Sequence, residues 1–134
     1  VLKYLLGTNI VIHTLTSRPA EVGKAFNSRA NQLCGSTVTM GERIYGAEKF
    51  QRSERNLAEV EGFAARLKVL PFDAQAAIHF GQIREELARS GRPIRSFDLM
   101  IAAHARSRGL FVVSNNVREL QRVPGVRLEN WVDD

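Results

Sequence analysis

The sequence is poor in the features that mark unusual proteins, and each absence excludes something. Cys34 is the single cysteine among 134 residues, so an internal disulfide and a cysteine-built zinc site are both excluded. The apolar runs, such as Val69-Leu70, Leu110 to Val113 and the five residues Leu99 to Ala103, are short. A membrane-spanning helix needs about 20 such residues, so a transmembrane protein and a membrane partner are excluded. Near the start, Lys3 is followed by only a few apolar residues before Gly7-Thr8-Asn9, too few for a secretory leader. The expected home is a reducing cytoplasm. No glycine-rich phosphate loop follows that first apolar stretch, which counts against a receiver-type or nucleotide-binding domain. Repeats, linkers and low-complexity segments are also missing, so 1–134 reads as one domain.

What is there looks like an ordinary folded protein. Hydrophobic residues make up 44% and charged residues 25%, which excludes intrinsic disorder. The net charge of +5 is unevenly placed. Residues 84–127 hold nine arginines, no lysine and four acids, whereas charges elsewhere cancel. Arginine forks grip phosphate oxygens bidentately, so a nucleic acid is one partner this stretch suits. An acidic protein or a plain solvated surface suits it equally on charge alone.

The pattern alternates strands with helices. Leu2 to Leu6 reads as a strand, and Pro19 opens a helix toward Ala30 with Val22 and Phe26 on one face. Leu33 to Gly35 reads as a second strand. Ser36 or Thr37 then caps a helix through Val38, Met40, Ile44 and Ala47. Ser53 caps another, with Leu57, Val60, Ala64 and Leu67 at helical spacing. Lys68 to Phe72 is a strand, and Asp73 caps a long helix closed by Gly91 and Pro93. Ser96 opens a helix that is apolar on nearly every face and ends at Gly109. Leu110 to Ser114, apolar on both faces, suits the middle of a parallel sheet. A short helix near Val117 to Gln121, a turn at Pro124-Gly125 and an edge strand over Val126 to Leu128 follow. The expected fold is a three-layer α/β domain with a central parallel sheet.

In open α/β sheets, ligands gather beyond the carboxyl ends of the strands. Here those ends carry Gly7-Thr8-Asn9 and Ser114-Asn115-Asn116. Asp98 falls in a first helical turn, Glu42 one turn into its helix, and Glu119 one turn after the Asn pair. Three acids flanked by Thr, Ser and Asn oxygens form a hard donor set suited to Mg²⁺ or Mn²⁺. Taken singly, each acid equally fits a helix-dipole or solvated surface role. His13, His79 and His104 are too scattered for a metal site, and Cys34 reads as a buried structural thiol.

Four stretches, in order along the chain, resemble the PIN domain of VapC-type toxins: Tyr4-Leu5-Leu6-Gly7-Thr8-Asn9, Glu42-Arg43-Ile44-Tyr45-Gly46-Ala47-Glu48-Lys49, Phe97-Asp98-Leu99-Met100-Ile101-Ala102-Ala103-His104-Ala105 and Val113-Ser114-Asn115-Asn116-Val117-Arg118-Glu119. The resemblance implies a PIN-like fold and the toxin half of a type II toxin–antitoxin pair. It implies a Mg²⁺-dependent endoribonuclease acting on structured RNA, transfer RNA in particular. A cognate VapB-type antitoxin, a homodimer, and contact with operator DNA only through the antitoxin are further expectations. By the same resemblance, Glu42, Asp98 and Glu119 are the catalytic and metal-binding acids, with Thr8, Asn9 and Asn116 as supporting polar groups. Arg84, Arg92, Arg95, Arg106 and Arg118 are then candidates for RNA phosphates.

The match breaks at one decisive place. Where the family carries its first acid, in an L-D-T-N motif, this chain has Gly7. Gly41 and Arg43 also replace bulkier apolar residues beside Glu42. The expectation is an intact fold with nuclease activity weakened or abolished. The alternative is a catalytically inactive PIN domain that only binds antitoxin or RNA.

Overall fold

Five short segments stack into a parallel sheet whose inner strands are the apolar ones. A computed structural model of the chain describes residues 1–7, 28–49, 58, 61, 62, 65 and 67–131. The strands are β1 (Tyr4–Leu6), β2 (Leu33–Ser36), β3 (Lys68–Leu70), β4 (Phe111–Val113) and β5 (Arg127–Glu129). Their order across the sheet is β3-β2-β1-β4-β5, and every pairing is parallel. The chain therefore begins in the centre, builds outward through β2 and β3, then crosses to the other side for β4 and β5. That reversal leaves a crevice beyond the carboxyl ends of β1 and β4, where α/β sheets place their ligands.

Helices α1 (Thr37–Lys49), α2 (Ala74–Arg89), α3 (Ser96–Arg108) and the one-turn α4 (Val117–Leu120) connect the strands. Successive side chains of a strand point to opposite faces, and two cores result. Leu5, Cys34 and Val112 pack with Ile83 and Leu87 of α2 and Leu99, Ala102 and Ala103 of α3. Tyr4, Leu6 and Val113 face the other way, with Leu33, Leu67 and Trp131. Six residues of α3, from Leu99 to Ala105, are buried, as its unbroken apolar run requires.

Local chemistry sets the boundaries. The Asp73 carboxylate accepts from the Ala76 N–H at 3.0 Å and caps α2. Ser36, rather than Thr37, caps α1: its hydroxyl accepts from the Val38 N–H at 3.0 Å. The Thr37 hydroxyl instead accepts from the Phe72 N–H. That bond diverts Phe72 from the sheet, and Pro71 has no N–H to give, so β3 stops at Leu70. Gly109, at φ +66°, ends α3 in a left-handed turn that a side chain resists. The Leu110 N–H then returns to the Ala105 carbonyl, which shortens β4 to Phe111–Val113. This strand lies between β1 and β5, one place from the centre, and β5 is one of the two edges.

One expectation fails on α1. The helical spacing puts Ile44 on an inward apolar face with Val38 and Met40, yet Ile44 is 44% exposed. Val38 and Met40 are half-buried and Thr39 is buried, while Tyr45 beside Ile44 is 64% exposed. Helical spacing identifies a face but not its neighbour. Most of the expected helices from Pro19 and from Ser53, and residues Thr8, Asn9 and His13, lie outside the described residues; Ala58, Glu61, Gly62 and Ala65 are helical.

Candidate active site

The carboxyl ends of β1 and β4 are pinned together before any functional side chain is considered. The Gly7 N–H donates to the Val113 carbonyl at 2.9 Å. After β4 the buried Ser114 turns the chain, its hydroxyl accepting from the Asn116 N–H at 3.0 Å. Its own N–H is tied to the Glu129 carbonyl. The turn holds the Asn116 amide over the crevice. From there Nδ2 donates to Asp98 Oδ2 at 3.0 Å and reaches Glu119 Oε2 at 3.3 Å. Asp98 comes from the first turn of α3 and Glu119 from α4. Both acids are far apart in sequence and meet on one amide.

The crevice holds about 200 Å³ and is lined by Gly7, Glu42, Arg95, Asp98, Ser114 and Asn116, among others. Partial burial pushes the Asp98 carboxyl above its ordinary value. The negative charge of Glu119 and a hydrogen bond between the two carboxyl groups push it further; Arg95 pulls the other way, and Glu42 adds a weaker upward push. Asp98 thus senses both other acids. Asp98 and Glu119 form a contact pair, while Glu42 faces Asp98 across the crevice. Among the described residues, no three Asp, Glu, His or Cys side chains come together as a ready metal cluster. The expected convergence of all three acids is therefore met by two and approached by the third. The Asn116 amide holds Asp98 and Glu119 together, and Glu42 lines the same crevice.

The donor set nevertheless fits a hard divalent cation. Its groups are oxygens only, and like charges crowd Asp98, which is the strain a cation relieves. Asp98 and Glu119 are the two carboxylates that would hold it. Gly7 lines the crevice but offers no side chain.

The arginines divide. Arg95 lines the crevice. Arg84, Arg92 and Arg118 are exposed, with Arg84 lying 5.9 Å from the Phe80 ring centroid. Arg106 is different, and its expected role as a phosphate contact does not suit its surroundings. Its Nε donates to His79 Nδ1 at 2.8 Å, and its two terminal nitrogens donate to the Pro124 carbonyl and Gln82 Oε1. It ties α2, α3 and the turn before β5 together, so its donors are committed inside the fold. His104 is fully buried, with Nδ1 2.9 Å from the Ser36 hydroxyl and its ring edge-on to Phe72, and packs against the sheet as expected. Cys34 is a structural thiol: burial pushes it up to about 11. Sequence reasoning missed the exposure of Phe97, 53%, at the mouth of the crevice. Its place beside Asp98, in an otherwise buried helix, was the available signal.

A parallel α/β sheet with acids at its switch point is an architecture that comparison makes specific. The PIN domain family model matches residues 4–126. The tRNA(fMet)-specific endonuclease VapC of Shigella flexneri is 57% identical over 131 residues, spanning 98% of this chain and 99% of that protein. The VapBC complex of Salmonella typhimurium, solved bound to DNA, superposes with a TM-score of 0.92 at 54% identity, covering 98% of this chain and 100% of that one. VapBC2 of Rickettsia felis, bound to a promoter fragment, gives 0.89 at 32% identity with the same coverage. The chain belongs to the PIN domain family, among the VapC-type ribonucleases of the VapBC family.

Proposed function

We propose that this chain is the toxin half of a toxin–antitoxin pair and a metal-dependent endoribonuclease for structured RNA, foremost transfer RNA, whose activity is held low by Gly7. The observation that carries the reading is the Asp98–Asn116–Glu119 constellation at the switch point, with Glu42 across the crevice. The name of the Shigella flexneri relative supports transfer RNA as substrate. Solved neighbours that are VapBC complexes support a VapB-type antitoxin as partner. The chain acts as a homodimer in the cytoplasm and meets operator DNA only through the antitoxin.

Asp98 and Glu119 are the residues to hold Mg²⁺ or Mn²⁺, with Glu42 as the third acid and Thr8, Asn9 and Asn116 supporting. When bound, such an ion polarises a phosphate and makes hydroxide available near neutral pH. The chain's own part is positional. Asn116 fixes the orientation of both carboxylates, as outer groups around metal ligands do. Arg95 grips a phosphate oxygen at the mouth of the crevice, and Arg84, Arg92 and Arg118 contact backbone further out. Gly7 stands at the family's first acid position. With no carboxylate there, position 7 would contribute no ligand to such an ion, and Asp98 and Glu119 would carry more of the task.

That same vacancy favours a second reading, an inactive PIN domain that binds RNA or antitoxin without cutting. One experiment separates them. Purified parent and Gly7→Asp chains are incubated with total tRNA and Mg²⁺, with and without the cognate antitoxin, and new RNA ends are mapped. A discrete cut by Gly7→Asp, abolished by EDTA and by antitoxin, is the expected result. RNA bound by both chains with no new ends from either supports the inactive binder.

A further inference from the structure

An open apolar groove adjoins the acid crevice and shares Glu42 and Phe97 with it. It runs between α1 and α3, with Val38, Gly41, Tyr45 and Met100 as further walls, and holds about 590 Å³. Its two aromatic rings are the unusual part. Tyr45 is 64% exposed and Phe97 53%, although large apolar side chains ordinarily hide. We infer that this groove takes a nucleobase of the RNA next to the phosphate held at the acids, a subsite that decides which nucleotide flanks the cut. The inference rests on the ribonuclease reading given above.

Three observations favour a base over another occupant. The first is continuity: a strand whose phosphate lies at Asp98 and Glu42 carries its adjoining base into a groove that shares one of those walls. The second is the interleaving of cations with rings. Arg95 is exposed two residues before Phe97 and lines the acid crevice, and the Lys49 ammonium lies 5.8 Å from the Tyr45 ring centroid. Aromatic platforms flanked by cations that track the backbone are the pattern of single-stranded nucleic-acid binding. Specific RNA recognition by proteins mostly targets unpaired bases splayed out and stacked on aromatic side chains. The third is space at Gly41, where an added Cβ meets nothing within 4 Å. With no side chain there, the groove stays open along its α1 wall.

The test uses the parent chain and a single-stranded RNA oligonucleotide carrying one 2-aminopurine, whose emission is quenched by stacking. Affinity is read by anisotropy in the same titration. Quenching on binding is expected, and Tyr45→Leu should both restore emission and weaken affinity about tenfold. Its salt dependence should stay unchanged, because the phosphate contacts persist. Gly41→Leu fills the groove with a better helix former, so it should weaken RNA binding without lowering Tm. That variant separates groove loss from unfolding. Tight RNA binding with unaltered affinity and no quenching in any variant overturns the subsite and leaves the ribonuclease reading standing. No RNA binding by the parent even at low salt removes the ribonuclease reading and the subsite with it. If Tyr45→Leu instead splits a dimer or loses the cognate antitoxin with RNA affinity intact, the groove is a protein interface and the inference is wrong.

Discussion

The Val113 carbonyl oxygen accepts the Gly7 N–H at 2.9 Å and stands 3.2 Å from the point where a Cβ on Gly7 would lie. The glycine is thus held close against β4, with Ser114 Cβ and Oγ at 3.5 and 3.6 Å from the same point. Its φ is outside the left-handed region, since the positive-φ glycines among the described residues are Gly91, Gly109 and Gly125. A side chain at position 7 therefore meets a tight contact but no backbone strain, and it emerges beside Ser114 over the crevice.

Gly7→Ala should fold and remain close to the parent in stability. A shift of a few tenths of an ångström at Val113 costs stability, whereas losing glycine's freedom in the unfolded chain returns about 0.4–1 kcal/mol. Urea unfolding is expected to give midpoints that differ by less than about 1 kcal/mol. A collapse of stability means the contact cannot relax.

Asn116 is the one amide between two acids. In a Gly7→Asp background, Asn116→Ala should lower the cleavage rate by about 10–100-fold, the usual cost of removing an outer partner of metal ligands. Circular dichroism should show the fold unchanged. An undiminished rate means the amide does not orient the pair.

Arg106 and Arg95 should part company. Arg106→Ala removes three internal hydrogen bonds from a half-buried guanidinium and should cost about 2–4 kcal/mol in unfolding measurements. Its effect on RNA affinity at temperatures where the fold persists should be small. Arg95→Ala should leave stability alone and weaken RNA binding, with a shallower salt dependence.

Stability should also fall in mild acid because of His104. Burial lowers its affinity for a proton, and Nε2 has no hydrogen-bond partner to support a charged ring. A depressed folded value means the unfolded chain takes up the proton first. The stabilisation is complete above the ordinary histidine value of about 6.5 and is lost as pH falls below it toward the folded value. Urea midpoints between pH 7.5 and 5.5 should drop more for the parent than for His104→Gln.

Much of this arrangement was legible in the sequence wherever a residue's role depends on its near neighbours. Asp73 and Gly109 mark helix ends through bonds within four residues. Leu110 to Ser114 announced an inner strand because both its faces are apolar. The acids Asp98 and Glu119 could be placed near helix starts by counting. What escaped depends on contacts across the fold. Counting arginines cannot tell Arg106, spent on His79, Gln82 and Pro124, from Arg95 at the crevice. The apolar spacing of α1 could not show that Ile44 and Tyr45 face outward. Nor could spacing show that Asp98 and Glu119 meet on the Asn116 amide, since 18 residues separate Asp98 from it.

The most direct measurement is the Mg²⁺-dependent rate of tRNA cleavage by parent, Gly7→Asp and Gly7→Asn chains, each shown to be folded. Losing about 1 Å of precision in placing a reacting group costs on the order of 10²-fold, so Gly7→Asp should cut at least that much faster than the parent. It should also reach half its maximal rate at a lower Mg²⁺ concentration, while Gly7→Asn, which restores bulk without charge, stays near the parent. A folded Gly7→Asp chain that cuts no faster, or a parent that already cuts at the Gly7→Asp rate, contradicts the assignment of Gly7 as the missing acid.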